Sequence, residues 1–168
     1  MNPKIKRPPY PHITLCCPFV HPKLFPEVKA KLREALKGIE PFQISFANFE
    51  CFENEYSTTL YLALESREEI TELHKTLTDA LSPFISIRKN YFEPHIGVGF
   101  FRDANKEAKI LREKYQAIWT PLEFTVGEIY FLRRKSNDSP WEVEEFVTLG
   151  KEEREPVFKI GEDTDFVV

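Results

Sequence analysis

Hydrophobic and polar residues alternate along this chain in two periods, and each switch between them marks an element. From His12 the run HITLCCPF alternates faces, with His12, Thr14 and Cys16 on one side and Ile13, Leu15 and Cys17 on the other, which predicts a strand. Phe25, Val28, Leu32 and Leu36 then recur at helical spacing, with the helix starting near Pro26 and Gly38 as its stop. Phe42, Ile44 and Phe46 alternate as the next strand, with a kink at Ala47-Asn48 before Phe49, and Leu60, Leu62 and Leu64 make another. Ser66 and Glu69 have the spacing of a capping box ahead of a stripe of Ile70, Leu73, Leu77 and Leu81, with His74 at its edge. A strand-like EPHIGVGFF follows. Asp103 is placed to cap a third helix with Ala108, Leu111, Tyr115 and Ile118 inward, ended by Pro121. Strands at Phe124 to Val126, Ile129 to Arg133 and Val143 to Leu149 complete the core.

An internal repeat organises these elements. Each half reads a histidine strand, a helix, then a proline-led strand: PFQISFANFECF in the first and PLEFTVGEIYFL in the second. Aligned from Pro41 and Pro121, Phe42 matches Leu122, Ile44 matches Phe124, Phe46 matches Val126 and Phe49 matches Ile129. The expected fold class is α+β, with two pseudo-symmetric lobes, each an antiparallel sheet with helices outside, and a cleft between them. Residues 1–150 are expected to form one bilobal domain, its lobes near 11–83 and 84–150 and able to intertwine. Residues 151–168 read as an acidic C-terminal tail.

Composition narrows the function classes. A chain of 168 residues buries roughly 70% of its unfolded surface and folds without disulfides or metal. The net charge of −4 argues against a coat on duplex DNA or an acidic membrane. Three cysteines, Cys16, Cys17 and Cys51, are odd in number and suit small core hydrophobes in a reducing cytoplasm. Neither C-x-x-C nor H-x₃-H spacing occurs, so no metal site and no cofactor are expected. His21, in a proline-flanked loop, is given no role. A cytoplasmic monomer is expected.

The chemistry gathers at two histidines. Pro11-His12-Ile13 and Pro94-His95-Ile96 occupy matching places in the repeat. A two-fold arrangement brings them together across a shared cleft, where one imidazole can accept a proton and the other donate one near neutral pH. Thr14 points the same way as His12 and can donate a hydrogen bond to a phosphate oxygen. Tyr10, Phe92 and Tyr130 can stack a base, since every base has a π-face. Lys4, Lys6, Arg7, Arg88, Lys89 and Arg133-Arg134-Lys135 supply positive charge, with Arg133 the first choice for a phosphate contact.

His12-Ile13-Thr14-Leu15 resembles the H-x-T/S-x motif of the 2H phosphoesterase superfamily, and His95-Ile96-Gly97-Val98 resembles its second copy. The F-x-P-H flank and the closing FLRR…EEFVTLG are similar to the 2′-5′ RNA ligase branch. The resemblance implies a metal-independent phosphodiesterase acting on a nucleotide or short RNA, at a 2′,3′-cyclic phosphate or a 2′-5′ linkage, with RNA ligase activity also open. It makes His12 and His95 the acid–base pair, in either order, and Thr14 the phosphate binder. Gly97 stands where that family has a second hydroxyl. This departure keeps open a different class, a non-catalytic module binding RNA ends or cyclic nucleotides. Gly97 and Gly99 also fit a bulge or a close backbone approach.

Overall fold

The computed structural model describes residues 11–85, 92–136, 139, 141–152 and 154–155. After a 3-10 turn at Pro22–Leu24, helix α1 spans Phe25–Leu36 and strands β1 and β2 span Phe42–Asn54 and Ser57–Leu64. Helix α2 spans Glu68–Leu81, strand β3 His95–Arg102 and helix α3 Asn105–Gln116. Strands β4, β5 and β6 span Leu122–Val126, Glu128–Arg133 and Glu142–Thr148. One antiparallel sheet runs β3-β2-β1-β4 and a second pairs β5 with β6, so the fold is α+β. The four-stranded sheet takes β1 and β2 from the first half of the chain and β3 and β4 from the second.

The apolar stripes pack as their spacing predicts. Val28, Leu32 and Leu36 of α1 and Ile70, Leu73, Leu77 and Leu81 of α2 are all buried in one cluster with Phe46, Leu60, Leu62, Val147 and Leu149. Each such side chain contributes about 1.5–3 kcal/mol by leaving water. The kink expected at Ala47 is a bulge between Phe46 and Asn48, and its repeat counterpart Gly127 is the break that separates β4 from β5. Gly150, at φ +80°, lies in the left-handed region and donates its N–H to the Leu36 carbonyl (3.1 Å), tying the end of α1 to the end of β6.

The repeat has a geometric meaning. Ile44 pairs with Phe124, its own counterpart, while Phe42 pairs with Val126 and Phe46 with Leu122. Two equivalent strands that run antiparallel about a shared residue pair are related by a local two-fold axis through that pair.

Five local expectations fail. Among the described residues, the first histidine segment forms a single bridge at Ile13 and no strand, because the chain bends at residues 16–18 and Pro18 has no N–H to give a ladder. Ser66 makes no cap, since α2 begins after Arg67, which takes the N-cap place without a side-chain bond. Asp103 does not cap α3 either. It sits at φ 50°, a conformation Asp tolerates, and turns the chain out of β3 with its N–H on the Tyr56 carbonyl (3.0 Å). Ile118 is 82% exposed rather than inward. Trp119 takes the inner place, its indole N–H donating to the Phe46 carbonyl (2.8 Å) and its ring edge-on to Phe49. Tyr115 is also largely exposed, although its ring lies against Phe49.

His74 is buried on α2, and burial lowers its pKa below the usual histidine value of 6.5. The unfolded chain therefore binds its proton more readily, so the sign is a loss of stability as pH falls through 6.5 toward the lowered native value. Thermal melts from pH 7.5 to 5 are expected to fall with acidification, and less so for His74→Phe. Identical slopes in the two proteins would contradict this.

Candidate active site

Ile13 and Ile96, the residues after the two motif histidines, form an antiparallel bridge with each other. Ile96 is buried and Ile13 packs on the same core, so both point inward and their neighbours point to the opposite face. The antiparallel sense sets His12 alongside Gly97 and Thr14 alongside His95. Directly opposed residues of such a pair have Cβ atoms about 4.5–5.5 Å apart, and diagonal ones about 7–8 Å. His95 and Gly97 thus share the face of β3 opposite Ile96, and His12 and Thr14 flank the bridged Ile13. The bridge joins counterpart residues of the repeat, as Ile44 and Phe124 do.

His95 is oriented from behind. Its Nδ1 lies 2.7 Å from the Glu93 carbonyl oxygen, which can only accept, so Nδ1 carries the proton. Nε2 is left as the working nitrogen, a lone pair when the ring is neutral and an N–H when it is charged. The rings of Phe52 and Tyr61 meet the imidazole edge-on, at 5.0 and 5.2 Å, and stack on each other at 4.1 Å. Tyr61 donates to the Glu50 carboxylate (2.9 Å). Burial, then this bond, pushes its phenol well above the usual range, so it remains protonated.

The lead-in to β3 is anchored to α2. Arg67 bonds Glu93 Oε2 (2.6 Å), while Glu93 Oε1 is buried without a hydrogen-bond partner among the described residues. Phe92 stacks face to face on His74, with centroids 3.9 Å apart and planes 3° from parallel. Arg67 thus steadies the peptide whose carbonyl holds His95. In a reaction that uses His95, Arg67→Ala is expected to lower kcat with KM nearly unchanged, and Arg67→Lys to restore part of it. A pure KM effect would count against this positioning role.

The remaining expected residues divide plainly. His12 and His95 are half-buried, and Thr14 and Gly97 are exposed. The bulge foreseen near Gly97 is present: Tyr61 pairs with Gly97 and Leu60 with Gly99, leaving Val98 unpaired and exposed. Phe92 has one face covered by His74. Arg133 donates to Glu144 (2.7 Å) at the far end of the β5–β6 hairpin, and no described contact joins it to the histidines. Tyr130 donates to Glu128 (2.7 Å). Tyr10, Lys4, Lys6, Arg7, Arg88, Lys89 and most of the tail lie outside the described residues. Burial pushes the Cys16 thiol up to about 11, so it is no nucleophile at neutral pH. The residues that sequence reasoning missed are Glu50, Phe52, Tyr61, Arg67 and Glu93. Glu50 and Phe52 were visible only through the Ala47 kink, after which even-numbered positions face the histidines.

Comparisons with known proteins bear on the family and the fold. The family model of the 2′-5′ RNA ligase superfamily matches residues 2–138. A protein of Halalkalibacterium halodurans named "putative phosphoesterase" is 33% identical over 145 residues, covering 85% of this chain and 81% of the relative. The crystal structure of TT0787 of Thermus thermophilus has a TM-score of 0.58 at 18% identity, covering 84% of this chain and 80% of that one. This last likeness is one of fold.

Proposed function

Since this chain belongs to the 2′-5′ RNA ligase superfamily, within the 2H phosphoesterases, we propose that its two motif histidines hydrolyse a small RNA-derived phosphodiester by general acid–base catalysis without a metal. The observation that supports this reading is the Ile13–Ile96 bridge, since ladder geometry about it would bring both imidazoles to one face. One histidine takes a proton from the attacking water as the new P–O bond forms. The other gives a proton to the oxygen that leaves as the old P–O bond breaks. After turnover the first is charged and the second neutral, and proton exchange with solvent resets the pair. Thr14 donates its hydroxyl to a non-bridging oxygen, where charge grows in the transition state. Gly97 has only backbone to offer beside His12. Either a 2′,3′-cyclic phosphate or a 2′-5′ linkage fits this scheme, and a nucleotide or short RNA is the proposed partner.

The test is incubation of a 2′,3′-cyclic nucleotide and a 2′-5′ adenylate dimer with the protein in EDTA, with products separated by chromatography. Conversion by the wild type and none by His12→Ala is the expected result. Activity abolished by EDTA and restored by a divalent ion would sink the metal-free scheme. Gly97 favours a second reading, a binder of the same ligands, because one donor to the phosphate is missing. Calorimetry showing tight binding of the cyclic nucleotide with no turnover would establish that reading instead.

A further inference from the structure

We propose that the cleft between the 3-10 turn and the loop end of the β5–β6 hairpin is a second anion site, one that holds a backbone phosphate of single-stranded RNA whose end occupies the histidine pair. It rests on the proposed function and makes the substrate an oligonucleotide rather than a mononucleotide. The cleft is a cavity of about 470 Å³ lined by His21, Pro22, Lys23, Arg133, Arg134 and Glu144. Arg133 and Glu144 neutralise each other through their 2.7 Å bond, which leaves Lys23 and Arg134 in excess. The whole chain carries a net charge of −4, so a local cationic surplus is a departure from its general surface.

The donors are arranged rather than scattered. Arg134 lies with its guanidinium carbon 4.9 Å from the centre of the Trp141 ring, a cation–π contact that restrains the side chain beside the cleft. His21 Nδ1 accepts from the Lys23 backbone N–H (3.2 Å), so the neutral ring carries its proton on Nε2 and offers a further donor. A phosphodiester suits such a set, because its two non-bridging oxygens accept from a planar fork and a point charge together. His12 and His21 are nine residues apart, so the two sites lie within about 30 Å. At roughly 3.4 Å or more per nucleotide, a strand of ten spans that distance.

The experiment measures binding of a twelve-nucleotide single-stranded RNA by fluorescence anisotropy between 50 and 200 mM salt. Beside it runs steady-state hydrolysis of a 2′,3′-cyclic mononucleotide. The proteins compared are the wild type, the double variant Lys23→Ala/Arg134→Ala and the charge-preserving Lys23→Arg/Arg134→Lys. Both residues are exposed, and neither belongs to the histidine site. Loss of two cations is expected to make the log–log salt slope shallower by about 1.4 and to weaken RNA binding at least tenfold at low salt. Mononucleotide hydrolysis should be unchanged, and the charge-preserving pair should keep most of the slope. An unchanged slope in the alanine variant, or a wild type that does not bind the RNA, would overturn the proposal. Cation-dependent RNA binding in a wild type that turns over nothing would overturn the histidine chemistry and leave this site supported.

Discussion

His95→Ala is expected to lower kcat for a 2′,3′-cyclic nucleotide by about 10²–10⁴, the range one positioned proton donor or acceptor supplies. KM should change little, because the imidazole acts on the proton in flight rather than on the bound ground state. The wild-type rate should trace a bell against pH, and the variant should lose one limb. His12→Ala should lose the other, which would assign acid and base. The side chain is half-buried against the stacked rings of Phe52 and Tyr61, so its removal also leaves a gap there. A melting temperature within a few degrees of wild type would separate lost chemistry from lost fold. A kcat within threefold of wild type would refute the role given to His95.

The second large effect concerns stability. Phe46 is fully buried, its ring lies 5.8 Å from that of Phe124, and its carbonyl accepts the Trp119 indole N–H at 2.8 Å. It also pairs with Leu64 on one side and Leu122 on the other, so it stands where β1 joins both neighbours. Phe46→Ala is expected to cost about 3–5 kcal/mol, the transfer of the ring plus the cavity left behind. Against a total near 5–15 kcal/mol, that lowers the melting temperature by roughly 10–15 °C. Exposed Ile118, an equally apolar residue by composition, should tolerate alanine with less than about 0.5 kcal/mol lost. Urea unfolding of the two variants would check both values, and equal losses would contradict the packing described.

Much of this architecture was legible because burial enforces period. The stripes of α1 and α2 and the alternation of Phe42, Ile44 and Phe46 each answer to one buried face, so position alone identified them. The Pro41 and Pro121 alignment matched Ile44 with Phe124, and those residues are partners across the sheet. What was not legible depends on choices that several residues could fill. Ser66 and Asp103 both suit a cap by chemistry, but the helices begin after Arg67 and Ala104, where tertiary packing set the start. Ile118 had the right spacing and lost its place to Trp119, whose indole also satisfies a carbonyl. At the site, the histidines announced themselves by repetition. Arg67 and Glu93 did not, since an ion pair between residues 26 positions apart leaves no local pattern.

The self-paired repeat bears on direction. Were both motifs identical, a phosphodiester could lie either way across the pair of imidazoles at equal free energy, with its attacking and leaving oxygens interchanged. In the mechanism proposed, Thr14 beside Ile13 and Gly97 on β3 lift that degeneracy, for only one motif carries a hydroxyl. A duplicated cradle thereby acquires a head and a tail where its two motifs differ.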